Sequence, residues 1–338
     1  MSAPVRLGLV GAGRIGRIHA GSVTQIPDVE LVAVADSDEA AAASVAGESG
    51  ARAVFVDELL ADSAVQGVLI ATPTEFHAAQ IGQAANAGKV IFCEKPIALD
   101  MQVARRCVFE AARSEVPLMI GFNRRFDPSF RRLREAIDGG RIGDVELVQI
   151  TSRDPAPPPL SYIERSGGLF RDMAIHDFDM LRFLIGEEIV EVAAMGTAAI
   201  DPAIGNAGDV DTATVMLRSS GGRLALVSNS RRACYGYDQR IEVHGSGGMV
   251  SAGNPVATTV ELAGREGFMT DPLGNFFMDR YADAYRQEIE TFCAVVRGEE
   301  VDYPDGWDGL AALAVADAAT ESLATGRMVA VSDVDGPS

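Results

Sequence analysis

Val5-Arg6-Leu7-Gly8-Leu9-Val10-Gly11-Ala12-Gly13-Arg14-Ile15-Gly16 is the stretch on which the reading of the fold turns. A short, largely apolar run ends in a GxGxxG pattern, and an amphipathic segment follows. In a chain with 35 glycines such a pattern arises by chance, so its surroundings decide. A second apolar run ends in Asp36, twenty residues beyond Gly16, where a nucleotide-binding βαβ unit keeps its acidic residue. Gly11 then permits the tight turn, Gly13 lets the backbone approach a pyrophosphate, and Gly16 lets helix pack on strand. The helix N-terminus opening with Arg14 and Ile15 supplies positive potential. Asp36 is expected to accept hydrogen bonds from the adenosine ribose hydroxyls. A 2′-phosphate would meet Asp36 and Asp38 with no Arg or Lys adjacent, so NAD is expected over NADP. The competing reading, a structural glycine turn with Asp36 as a helix cap, is disfavoured by the same context.

Outward from this stretch, residues 5–122 alternate apolar runs with amphipathic ones. Strands are expected at 5–10, 31–35, 68–71, 90–93 and 118–121, with a weaker one near 53–55, and helices at 14–25, 38–48, 75–87 and 100–114. Continuously apolar strands separated by helices signify a parallel sheet covered on both faces. Gly88 stands where a helix needs its C′ residue and Asp100 where one needs an N-cap. The fold class is therefore α/β, a doubly wound Rossmann domain over residues 1–122.

After Phe122 the pattern changes. A basic amphipathic segment at 124–134 leads to a strand at 145–152, and Pro155, Pro157, Pro158 and Pro159 force an extended loop. A helix is predicted at 173–184, then period-2 stretches at 212–217, 223–228, 239–243 and 258–262, and closing helices at 281–296 and 307–323. Residues 123–338 thus read as an α+β domain with a large, mostly antiparallel open sheet. Its C-terminal helix has the option of packing back towards the first domain, and a cleft is expected where the two meet.

Composition narrows the function. Three hundred and thirty-eight residues suit two domains. With 29 basic against 48 acidic residues, a net charge of −19 argues against nucleic acid or an anionic membrane as partner. Cys93, Cys107, Cys234 and Cys293 are too scattered for a metal motif and too few for a disulfide framework. There is no leader-like N-terminus and no run of 18 apolar residues, so a soluble, cytoplasmic protein is expected.

Two further segments sit where a doubly wound sheet keeps its ligands, at the carboxyl ends of strands. Thr72, Pro73 and Thr74 follow one strand, and Glu94 and Lys95 follow the next; both groups are expected to line the nicotinamide half of the site. His77 reads equally as a cofactor contact or a packing residue. Of the four histidines, His19 and His244 read as structural. His176 differs, because Asp172 lies four residues before it, on the same face of the predicted helix. A carboxylate beside an imidazole suits a general base acting on an alcohol; a capping Asp with a satisfied core His is the alternative. A zinc pair would lack its third and fourth ligands, so no metal is expected.

These motifs carry a resemblance. Over essentially its whole length the chain resembles the Gfo/Idh/MocA oxidoreductases, through the glycine fingerprint, Glu94-Lys95-Pro96 and residues 167–179. Residues 121–128, 152–159 and 235–240 extend it and imply a cyclic polyol substrate, myo-inositol first, with another inositol isomer or a pyranose sugar as the alternative. The resemblance implies that Lys95, Asp172 and His176 are catalytic and that Arg125, Asp154 and Tyr235 join them in binding substrate. It also implies NAD-dependent alcohol oxidation and a homo-oligomer, tetramer or dimer, formed through the open sheet face. An NAD-retaining glycosidase and an NAD-binding sensor are further readings that the resemblance leaves. Cys234 and His244 depart from otherwise familiar stretches.

Overall fold

A computed structural model of the chain describes residues 4–334. It divides into two compact units, one formed by residues up to Phe126 with Asp283–Leu310, the other by Asp127–Ala282 with Ala311–Asp333.

In the first unit the strands are β1 (Val5–Val10), β2 (Val29–Ala35), β3 (Arg52–Ala53), β4 (Gly67–Ile70), β5 (Val90–Glu94) and β6 (Leu118–Gly121). Between them run α1 (Arg14–Thr24), α2 (Glu39–Ser49), α3 (Val56–Ala61), α4 (Thr74–Asn86) and α5 (Met101–Arg113), and a 3₁₀ turn, Asn123–Phe126, follows β6. All pairings are parallel in the order β3-β2-β1-β4-β5-β6, so the strand order reverses between β1 and β4, where such sheets bind ligands. Leu7, Leu9, Val68, Leu69 and Ile70 are wholly buried, as strands covered on both faces require. The expected caps are present: Asp100 accepts the Val103 amide, and Gly88 takes the left-handed conformation after α4. Helix α3 went unread in the sequence. It is one and a half turns long, and it is fixed by packing, Leu59 lying so close to Gly8 that a Cβ there would come within 2.7 Å.

The second unit begins with α6 (Pro128–Asp138), β7 (Val145–Arg153) and α7 (Leu160–Ser166). A π-helical turn, Phe170–Ala174, then opens α8 (Ile175–Ile185). Next come β8 (Ile189–Thr197), α9 (Pro202–Asn206), β9 (Thr212–Ser219), β10 (Leu224–Ser230), β11 (Asp238–Gly245), β12 (Gly248–Ala252), β13 (Glu261–Gly264), β14 (Gly267–Thr270) and α10 (Phe277–Arg280). The chain closes with α11 (Ala282–Val296), α12 (Gly306–Thr325) and β15 (Val329–Ala330). Seven strands form one sheet in the order β12-β11-β7-β10-β9-β8-β15, antiparallel except for β7 beside β10. One face is buried, with Ala213, Val215 and Leu217 of β9 turned inward. On the other, Met195 and Met216 are 79% and 59% exposed.

Two expectations are corrected here. The alternation at 258–262 is not a strand of this sheet: β13 pairs only with β14, in a hairpin exposed along both strands. The helix expected at 173–184 starts three residues earlier and as a wider turn. Among the described residues no helix is long and apolar enough to cross a membrane.

Candidate active site

The three fingerprint glycines do different work. Gly11 has φ +103°, and a Cβ there would stand 2.6 Å from the Ala71 carbonyl, so the first turn is pressed against the end of β4. A Cβ on Gly16 would come within 1.9 Å of the Gly11 oxygen, which fixes α1 close against β1. At Gly13 a Cβ would meet nothing within 4 Å. That open spot is the N-cap of α1, which has no side-chain cap and no acidic residue in its first turn. The first-turn amides led by Arg14 and Ile15 are therefore offered to an anion. Asp36, half-buried, accepts the Ala12 amide on Oδ2 at 2.6 Å and the Asp38 amide on Oδ1 at 2.8 Å, so the glycine loop itself aims the carboxylate. The cradle fits a dinucleotide: Gly13 and the first-turn amides would hold its phosphates, and Asp36 its ribose hydroxyls.

Beyond it, Thr72 donates its hydroxyl to Gln80 at 2.6 Å, and Pro73 and Thr74 start α4. His77 turns into the protein interior. Its ring is 1% exposed, with Nδ1 2.8 Å from the Pro96 carbonyl oxygen and Nε2 2.8 Å from that of Thr72. It braces the end of β4 against the turn after β5. Burial pushes its pKa down, while the two carbonyls and Glu94 oppose that shift. Glu94 also turns inward, its Oε1 2.7 Å from Nε2 of the buried His19. Lys95, next in sequence, is half-buried and joined to Pro96 by a cis peptide bond.

Arg125 forks onto Asp308 of α12, with contacts of 2.9 and 3.2 Å, a partner the sequence reading did not identify.

In the second unit Asp172 lies in the π turn and His176 in the first turn of α8. Such turns are rare inside helices and recur at functional sites. Asp172 is clasped by residues far away in sequence. Tyr162 of α7 donates its hydroxyl to Oδ1 at 2.8 Å, and Nη1 of Arg231 lies 3.4 Å from Oδ2. Arg231 is 1% exposed, and its Nη2 is 3.6 Å from Asp209, whose other oxygen accepts the Leu169 amide. A buried guanidinium thus sits between two carboxylates at the start of the turn that presents the imidazole. Tyr162, Asp209 and Arg231 escaped the sequence reading, because nothing in their local patterns distinguishes them from surface residues.

Tyr235 receives a hydrogen bond from Arg153 at 3.1 Å and donates to Asp238 at 2.8 Å, leaving its ring about half exposed. Burial alone would raise the Asp238 pKa, but donors from Arg240, Tyr235 and Asn254 outweigh it and hold the carboxyl below its ordinary value. Asp154 follows β7, its amide bonded to the Ser230 carbonyl at 2.9 Å. Among the described residues no three His, Cys, Asp or Glu side chains group to hold a metal ion.

Comparison with known proteins accords with both halves. Residues 5–122 match the family model described as the oxidoreductase family NAD-binding Rossmann fold, and residues 130–251 match the GFO/IDH/MocA C-terminal domain. The chain belongs to the Gfo/Idh/MocA oxidoreductase family. Within that family it is 54% identical over 328 residues to the inositol 2-dehydrogenase of Rhizobium meliloti (strain 1021), covering 97% of this chain and 99% of the relative. It superposes with a TM-score of 0.93 on the crystal structure of a myo-inositol dehydrogenase from Corynebacterium glutamicum, at 43% identity, covering 98% of this chain and all of that one. A Lactobacillus casei myo-inositol dehydrogenase in complex with NAD(H) and myo-inositol matches with a TM-score of 0.88 at 26% identity, covering 99% and 98%. This family member therefore has an NAD-binding Rossmann domain joined to an α+β domain, and it is an oxidoreductase.

Proposed function

We propose that this oxidoreductase is an NAD-dependent inositol 2-dehydrogenase, converting the secondary alcohol of myo-inositol to the 2-keto product. The observation that carries the substrate class is 54% identity over nearly the whole of both chains to an inositol 2-dehydrogenase. The Gly11–Gly16 cradle would hold NAD, which would supply the hydride acceptor for the carbinol carbon. The remaining work falls to side chains. Lys95 donates a hydrogen bond to the reacting hydroxyl and stabilises the charge that develops on its oxygen. Asp172, clasped by Tyr162 and Arg231, orients the His176 imidazole, and His176 takes the hydroxyl proton. Arg125, Asp154 and Tyr235 hold the other ring hydroxyls, and Tyr235 is suited to it by its fixed hydrogen bond to Asp238. A polyol site rejects a wrong isomer by leaving buried donors and acceptors unpaired.

A homo-oligomer formed through the exposed sheet face around Met195 and Met216 belongs to this reading. So does a cytoplasmic location, in keeping with four free cysteines.

Steady-state NADH formation across a panel of cyclitols and aldoses tests the proposal. Fastest turnover of myo-inositol is expected. Activity confined to glucose or to another isomer would replace the substrate. Aryl-glycoside hydrolysis without net NADH, or NAD binding without any turnover, would replace the reaction.

A further inference from the structure

The first unit buries a carboxyl group that this mechanism does not use. Glu288, midway along α11, has no exposed surface, and among the described residues neither of its oxygens has a hydrogen-bond partner. Ring contacts define its surroundings. Tyr285, three residues before it, packs edge-on against His19 with centroids 5.8 Å apart, and Phe292, four residues after it, packs against Phe92 at 5.7 Å. His19 and Phe92 are themselves in edge contact at 5.0 Å. His19, from α1, sets Nε2 against Glu94 of β5, while its buried Nδ1 has no partner among the described residues. Two carboxyl groups and one imidazole therefore share an aromatic chamber, and Glu94 is the charged group that acts on Glu288.

An ionised Glu288 would add a second negative charge beside Glu94 with no donor or cation to meet it. Removing such a charge from water is strongly unfavourable, and a group so placed takes up a proton instead. Burial first, and Glu94 second, push the Glu288 carboxyl well above its ordinary range.

We propose that Glu288 is kept as a neutral carboxylic acid at physiological pH and forms, with His19 and Glu94, one buried acid–base unit that positions the end of β5 immediately before Lys95. The arrangement gives each orphaned group a complementary one. With Nε2–H donated to Glu94, His19 presents Nδ1 as an acceptor, and a protonated Glu288 carries the matching hydroxyl donor, the two linked through a buried water. Glu288 is thus a positioning residue, acting on Lys95 through Glu94. Only this last consequence rests on the role given to Lys95 above.

Infrared spectroscopy of the full chain tests the proton directly. The wild type is expected to show the carbonyl band of a protonated carboxylic acid at neutral pH, shifted in D₂O and missing from Glu288→Gln; no such band overturns the proposal. Unfolding against pH gives a second reading. A group whose folded pKa is raised holds its proton in the native state while the unfolded chain releases it. Above the ordinary carboxyl range the wild type should therefore lose about tenfold in its folding equilibrium per pH unit relative to Glu288→Gln, up to the folded pKa. Parallel profiles would overturn the proposal. Should Glu288→Gln fail to fold, Glu94→Gln serves: with its neighbour's charge removed, the Glu288 band should titrate away at lower pH than in the wild type, and an unmoved titration counts against the unit. For positioning, Glu288→Leu should lower kcat several-fold with KM for NAD little changed, and Glu288→Gln should restore most of it. Full kcat in Glu288→Leu would sink the positioning role. The infrared and unfolding readings need no substrate, so failure to oxidise inositol would count against the proposed function alone.

Discussion

The glycine loop of the first unit and the π turn of the second both present reactive groups, yet they are built on opposite plans. In the loop, each special position is explained by atoms a few residues away or one strand over: Gly16 against Gly11, Gly11 against Ala71, Asp36 against Ala12. In the turn, Asp172 depends on Tyr162, ten residues before it, and on Arg231, fifty-nine residues after it. The loop is specified by close backbone approach to the adjacent turn and strand, whereas the electrostatic setting of a carboxylate is assembled from wherever the fold delivers charge. The loop should therefore fail through sterics and the turn through unbalanced charge.

The largest effect is expected at the turn. Arg231→Met leaves two carboxylates without their buried counter-ion and should destabilise the fold by about 3–5 kcal/mol, the range for breaking a buried ion pair. Denaturant unfolding measures it, and a loss below about 1 kcal/mol, the ceiling for an exposed pair, would show that the clasp is not electrostatic. Lys95→Ala should follow, lowering kcat by about 10²–10³, the size of a lost oxyanion donor. Calorimetric titration should find NAD affinity largely intact; an equal loss of affinity and turnover would move Lys95 from chemistry to cofactor binding.

Sterics supply the next contrast. Gly16→Ala drives a Cβ into the Gly11 carbonyl and should cost about 1–3 kcal/mol, the usual range for overpacking, whereas Gly13→Ala should leave thermal stability unchanged and weaken only NAD binding. Equal Tm losses in the two variants would erase the distinction between packed and open glycines. The smallest effect is expected for Asp36→Ala, which removes the ribose acceptors together with the acceptor of the Ala12 amide, while the packed glycines Gly11 and Gly16 stay as they are. About a tenfold loss in NAD affinity, near 1.4 kcal/mol, with a smaller loss for NADP, would sharpen the assignment of this carboxylate. Unchanged preference between the two cofactors would overturn it.

The same contrast governs what could be read from sequence. Strands β1, β4, β5 and β6 stood out because burial on both faces demands unbroken apolar runs such as Val68-Leu69-Ile70. Alternation at 258–262 misled, since period-2 patterning shows only that a segment has two unlike faces. There both faces of the hairpin are exposed, with Leu262 at 58%. The width of the turn at Asp172 had no signal, because a π turn and an α turn differ by one hydrogen-bond step that packing selects. For His77 the sequence left packing and cofactor contact equally open, and for Glu94 it offered no sign of the buried histidine that it meets. Spacing brings a side chain to a strand end without saying whether it turns outward or, as with the His19–Glu94 contact, inward.

The return of residues 283–310 to the first unit has a consequence for biosynthesis. Ile120 donates its amide to Pro304, and Phe292 closes over Phe92, so the parallel sheet lacks part of its cover until nearly the whole polypeptide has left the ribosome. A fragment ending at Phe126 would leave Phe92 bare on that side, and the nascent sheet must wait, partly uncovered, while more than 150 intervening residues are translated.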